Sequence, residues 1–330
     1  MVSNETELQN ALADARFGES VVIALDKDIT ITSGSLIILA CTNITLTSNK
    51  ASGFYKLIGA TTGAILQVDS GGVLILDGII VTHTNGARSS GVLNAGTLIM
   101  RAGEVSDNYV GIGGGGSSGF FSSFEHSYGG GVMNAGVFEM YGGKISGNTA
   151  RAMGNGGGVY NGGGSTFMMY GGEISGNTAA RGGGVCNGGT FVMFGGEILG
   201  NTAEDGGGVC NWGNFTMVGG SITRNTADYG GGVYNSNPVR GGVYFFDRQD
   251  GKILGNIAAY GDNDVKDMSH DTEEGSSGGT DTAQSLLIVS GLMFIVMLTV
   301  IVAVVVAVIV VVVIVLLSKS KKQLEPTEKT

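Results

Sequence analysis

From Val92 to Ile253 apolar side chains recur at every second position in short runs, and glycines separate the runs. Val185-Cys-Asn187, Phe191-Val-Met193 and Glu197-Ile-Leu199 form one set. Val209-Cys-Asn211, Phe215-Thr-Met217 and Ser221-Ile-Thr223 form the next, 24 residues further on. Period-two alternation predicts strands with one buried face, too short and too regularly interrupted for helices. Four apolar columns follow the repeat. They are Val92, Val132, Val159, Val185, Val209 and Val233; Leu98, Phe138, Phe167, Phe191, Phe215 and Tyr244; Met100, Met140, Met169, Met193, Met217 and Phe246; and Val105, Ile145, Ile174, Ile198, Ile222 and Ile253.

Three strands and three glycine corners within 24 residues cannot bury four columns as a meander. They can as one turn of a coil, each turn lying about 4.8 Å from the next. The expected fold class is therefore all-β, a parallel β-helix of three short strands per coil. Two asparagine columns fall where strand gives way to corner: Asn94, Asn134, Asn161, Asn187, Asn211, Asn235, and Asn108, Asn148, Asn177, Asn201, Asn225, Asn256. Asparagine tolerates left-handed backbone, and stacked amides hydrogen-bond from rung to rung. Residues 6–15, TELQNALADA, space Leu8, Ala11, Leu12 and Ala15 helically, with Asn4 or Thr6 as N-cap. A helix there covers the open edge of the first coil.

The segments GGGVYN (156–161), GGEISGNTA (171–179) and GGGVCN (182–187) carry a resemblance. At these repeats the chain resembles the right-handed parallel β-helix proteins of the pectin-lyase-like superfamily. It is similar, more narrowly, to repeat-bearing surface proteins of the polymorphic outer-membrane-protein and adhesin-like type. The resemblance covers residues 20–260 and implies right-handed coiling and a surface binding role. The same scaffold also carries polysaccharide lyases and hydrolases, so it does not fix activity. No β-barrel pattern follows the repeats, as an outer-membrane autotransporter requires.

Beyond the repeats the chain changes character. Residues 286–317 are uncharged and rich in Val, Ile and Leu, more than the ~20 residues a membrane helix needs. Residues 261–285 read as an acidic Gly/Ser stalk, and residues 318–330 as a short tail with Lys319, Lys321 and Lys322. The expected organisation is a cap helix (1–19), a β-helix (20–260), the stalk, a single transmembrane helix and the tail. Lysines on the short side place the tail in the cytoplasm and the β-helix outside. The opening MVSNETELQNALADA shows no signal-peptide pattern, which keeps a tail-anchored, cytosol-facing scaffold as the alternative. A net charge of −10 argues against nucleic acid as a partner.

Candidate chemistry is sparse. Gly111-Ile-Gly113-Gly-Gly-Gly116 matches a dinucleotide fingerprint in letters but opens no helix. His83, His126 and His270 lack metal-ligand spacing, and Asp262, Asp264 and Asp267 lack the frame of a calcium loop. Glu173 and Glu197, with Lys144 before them, form an outward column that would supply the acid–base pair of a polysaccharide lyase or hydrolase, the alternative to a binding role, but no repeat breaks its pattern to place a lone catalytic group. No catalytic group, metal or cofactor is expected. Binding is instead expected on outward columns: Tyr141, Tyr170 and Phe194 in one, and Tyr160 and Tyr234 in another that also holds Cys186 and Cys210. Glycans or proteins of a host or neighbouring cell are the expected partners, beside the membrane. An insertion with Phe120, Phe121, Phe124 and Tyr128 is a candidate contact loop. Cys186 and Cys210 point outward one rung apart, near enough for a disulfide, so free thiols would weaken the extracellular placement.

Overall fold

The computed structural model describes residues 1–15, 17–49, 53–84, 87–111, 128–236 and 246–267. They form a right-handed parallel β-solenoid with one short helix at its N-terminus. The expected transmembrane helix, the basic tail and residues 268–285 of the stalk lie outside the described residues. Among the described residues, no helix is long and apolar enough to cross a membrane.

The valine strands stack into a nine-stranded sheet. The phenylalanine and isoleucine strands share a 16-stranded one. In the early coils a single strand serves both faces, as in Val73–His83 and Thr97–Ser106, bending at Gly78 (φ 93) and Gly103 (φ 97). Later coils break at this corner into separate strands such as Thr190–Met193 and Glu197–Leu199. A fourth ladder, absent from the expected three, joins the Thr-Ala segments after the second asparagine column, as in Thr149↔Thr178 and Thr226↔Ile257.

Repeat columns become ladders because the register is exact from coil to coil: Val185 pairs Val209, Phe191 pairs Phe215 and Ile198 pairs Ile222. Phe138, Phe167, Phe191 and Phe215 are fully buried, their rings parallel and 4.6–4.7 Å apart. One expected assignment is corrected at the last coil. Phe246 continues the phenylalanine column and Arg248 follows Met217, where Tyr244 and Phe246 were expected. A slip of two residues preserves strand parity, so alternation alone does not detect it. The corner does: three residues lie between Met217 and Ser221, and three between Arg248 and Lys252.

The triple glycine has a steric origin. Gly182 has φ 64, the left-handed region. A Cβ on Gly183 would lie 2.6 Å from the carbonyl oxygens of Gly207 and Thr202 in the next coil. The first glycine thus turns the chain, and the second lets adjacent coils touch.

Both asparagine columns are buried amide ladders. In the second, the Asn177 backbone N–H and Nδ2 donate to Asn201 Oδ1 at 2.9 and 3.0 Å, and Asn201 repeats this on Asn225. Asn201 Nδ2 also donates to the Ile174 carbonyl at 2.9 Å. The ladder starts where a His83 ring nitrogen lies 2.7 Å from Asn108 Oδ1. It ends on the Asp264 carboxylate, which accepts from the Asn256 backbone N–H and Nδ2.

Helix α1 (Glu5–Ala13) covers the first coil. Asn4 caps it by accepting from the Glu7 backbone N–H, and Leu8 enters the core. Its Glu5 carboxylate accepts four hydrogen bonds from the backbone and hydroxyl groups of Thr32 and Ser33, at 2.6–2.9 Å. Burial pushes this carboxyl up, but the hydrogen bonds outweigh it and bring it from 4.5 to about 2. A folded-state value below the unfolded one stabilises above the unfolded value and is lost as pH falls through the folded one. Glu5→Gln should therefore flatten the loss of stability between pH 4.5 and 2. Denaturant melts of both proteins across that window check this; identical slopes would remove Glu5 from the cap.

Candidate functional site

Tyr141, Tyr170 and Phe194 form one exposed ribbon, as expected, at 51%, 39% and 39% exposure. Each follows a methionine of the core column, so strand parity turns it outward. The rings stack in parallel, 4.7 and 5.0 Å between centroids, with interplanar angles of 11° and 3°. This spacing turns the ring faces toward one another and presents edges to solvent. The Tyr141 hydroxyl donates to Glu139 at 3.0 Å. Burial and then that carboxylate push its phenol up to about 12, so it stays a neutral donor. Docking of sugar rings needs an open aromatic face, and Tyr170, between two parallel neighbours, offers none. The ribbon fits broad apolar contact better than ring-on-ring stacking.

The second column departs from expectation. Leu93, Met133, Cys186 and Cys210 are buried, and Tyr160 and Tyr234 are half-buried. Their parity is as predicted, away from the solenoid interior, but a strand's outer face is not always solvent. Arg181 reaches over the Trp212 ring, 5.8 Å to its centroid, and pairs with Asp205 at 3.4 Å. Tyr128 packs on Tyr160 at 4.4 Å, tilted by 34°. Cys186 and Cys210 are free thiols, fully buried, and Cys41 is a third, exposed one. Burial first, then a hydrogen bond to Cys186, holds the Cys210 thiol well above its ordinary value. Both thiols are shielded from solvent. A thiol reagent should titrate one of the three cysteines in the native protein and all three after unfolding. Fast native reaction of two or more would show that the cover is open.

In the carboxylate column one member is poorly suited to donate a proton. Glu173 pairs with Lys144 at 3.1 Å. Its carboxyl is lowered, first by a hydrogen bond from Ser175 and then by Lys144 against burial, the wrong direction for a general acid. One coil breaks the repeat, which sequence reasoning missed. Thr149–Asn155 carries a register shift between Ala150 and Asn155, and Met153 there is 73% exposed at φ 61. Asn155 Oδ1, in a side chain only 6% exposed, has no hydrogen-bond partner among the described residues. Eight residues separate Asn148 from Gly156, against five from Asn177 to Gly182, and that count was the available signal. Trp212 was missed as well; it stands where the preceding coil has Gly188.

Phe120, Phe121 and Phe124 lie outside the described residues. The described residues hold no group of three or more His, Cys, Asp or Glu suited to a metal ion. Comparison with protein-family models, with curated proteins and with solved structures gives no match. The fold class rests on the ladders themselves.

Proposed function

We propose that this chain is a membrane-anchored surface solenoid that binds a partner and is not an enzyme. The observation that carries the reading is the Tyr141–Tyr170–Phe194 ribbon, three large apolar side chains left exposed in register on a rigid face. Exposed apolar strips on a scaffold mark contact surfaces. Closed ring faces favour a protein partner over a glycan. The uncharged run 286–317 would hold the rod at the bilayer, with the lysine tail inside.

The test uses full-length protein in lipid vesicles, presented to neighbouring-cell surfaces and to an oligosaccharide array. Replacing Tyr141, Tyr170 and Phe194 together by serine should abolish cell-surface binding while circular dichroism stays unchanged. Retained binding would remove the ribbon from the site. An array signal lost in the same variant would move the ligand to carbohydrate. Labelling of intact cells by an antibody to the rod tests the outward placement; labelling only after permeabilisation would favour a cytosol-facing scaffold. Turnover of an anionic polysaccharide that fails in Glu173→Gln would favour the enzyme.

A further inference from the structure

We propose that Cys186 and Cys210 are an oxidisable pair that closes into a disulfide joining two consecutive coils, with Trp212 and Arg181 as the gate over it. The two residues are direct strand partners, and both side chains leave the same face. One rung is about 4.8 Å, within the ~4.4–6.8 Å between Cα atoms that a disulfide accepts. The spacing of the strands therefore admits the bridge. Both thiols are free and fully buried. Tyr160 and Tyr234 bound the pair along the column. Asp205 and Arg181 are close enough to act on the Cys210 thiol, and Arg181, paired with Asp205, reaches over the ring of Trp212, two residues beyond Cys210. Neither cover is itself fully buried, so it can move without disturbing the core.

A peroxide is small enough to act here. One thiol loses its proton, the thiolate attacks a peroxide oxygen, the O–O bond breaks, and a sulfenic acid forms while the departing hydroxide takes up that proton as water. The second thiol then attacks that sulfur, the S–O bond breaks, and hydroxide leaves with the remaining proton as water. Two thiols and one peroxide give one disulfide and two waters. The reacting species is the thiolate, so hydration at the gate controls the rate. The product adds a covalent link between coils otherwise held by backbone ladders, amide ladders, the Arg181–Asp205 ion pair and packing, and should resist their separation.

The test treats full-length protein with hydrogen peroxide, then denatures, alkylates and digests it with trypsin. Cleavage after Arg181 and Arg224 releases both cysteines in one peptide, Gly182–Arg224; in Arg181→Gln, which lacks the first site, the peptide is Ala152–Arg224. Bridging appears as a peptide that carries no alkyl group and is two hydrogens lighter than the free dithiol. Wild type should bridge slowly, and Trp212→Ala about tenfold faster or more, since exposure raises the thiolate fraction. Arg181→Gln removes the outer half of the gate while keeping the indole, and should give an intermediate rate even if Trp212→Ala folds poorly. Cys210→Ser should instead carry Cys186 on to sulfinic acid. Sulfinic or sulfonic cysteines without a bridge in the gate variants would overturn the pairing. Bridging at the wild-type rate in both variants would overturn the gate.

Discussion

Replacing Phe191 with alanine is expected to cost roughly 3–5 kcal/mol, the range for truncating a buried aromatic. Phe191 is fully buried, its ring 4.7 Å from Phe167 and 4.6 Å from Phe215, parallel to both. Those rings are fixed by their own strands at the rung spacing and cannot close the gap. A solenoid coil contacts only its neighbours, so the loss falls at one interface and should weaken cooperation between the two sides. Two unfolding transitions in place of one would be its signature in a denaturant melt. Tyr170→Ser is the control. Tyr170 sits in a similar parallel stack but outside, 39% exposed, and should cost well under half as much. Equal costs would mean that the outer ladder supports the fold as much as the core.

The second large effect is expected at Asn201. Alanine there removes the acceptor of two donors on Asn177, and the Nδ2 donor to the Ile174 carbonyl and Asn225 Oδ1. These groups are buried, and each orphan costs about 1–3 kcal/mol, for a loss on the order of 3 kcal/mol or more. Asn201→Asp separates hydrogen bonding from size. It keeps the acceptor but sets a carboxylate against the Ile174 carbonyl and Asn225 Oδ1, so it should cost at least as much as alanine. Asp264 stands in the same relation to Asn256 that Asn201 has to Asn177, accepting from both the backbone N–H and Nδ2. It closes the ladder, where accepting is enough. Asp264→Asn is therefore expected to be mild. Thermal melts of the three variants decide the point; a mild Asn201→Asp would show that the amides pack without needing their polarity.

Much of this was legible because the molecule repeats. Strand pairing in a solenoid is local in repeat number, so identical letters 24 residues apart state the register directly. Val185 over Val209, Phe191 over Phe215 and Asn187 over Asn211 could be written down from the chain. The cap helix was legible from Asn4 and the spacing of Leu8 and Leu12. The exposed ribbon followed from parity, since a residue beside a buried methionine in a strand faces out.

Reading failed where a position's environment depends on other coils. Parity placed Cys186 and Cys210 away from the core but could not say that they would be fully buried there, with Arg181 and Asp205 close to Cys210. Ring identity predicted aromatic stacking, but only parallel planes at 4.7 and 5.0 Å showed that the faces are spent on one another. The last coil slipped by two because period two is blind to even shifts, and the bulge at Thr149–Asn155 hid as three extra residues in a repeat of uneven spacing. The sequence by itself determined the coil, its four core columns and its two amide ladders, because each depends on a side chain meeting its own counterpart one turn away. The tertiary structure alone decided which outward side chains reach water, because that depends on unlike residues meeting across the coil's corners, and no periodicity encodes their approach.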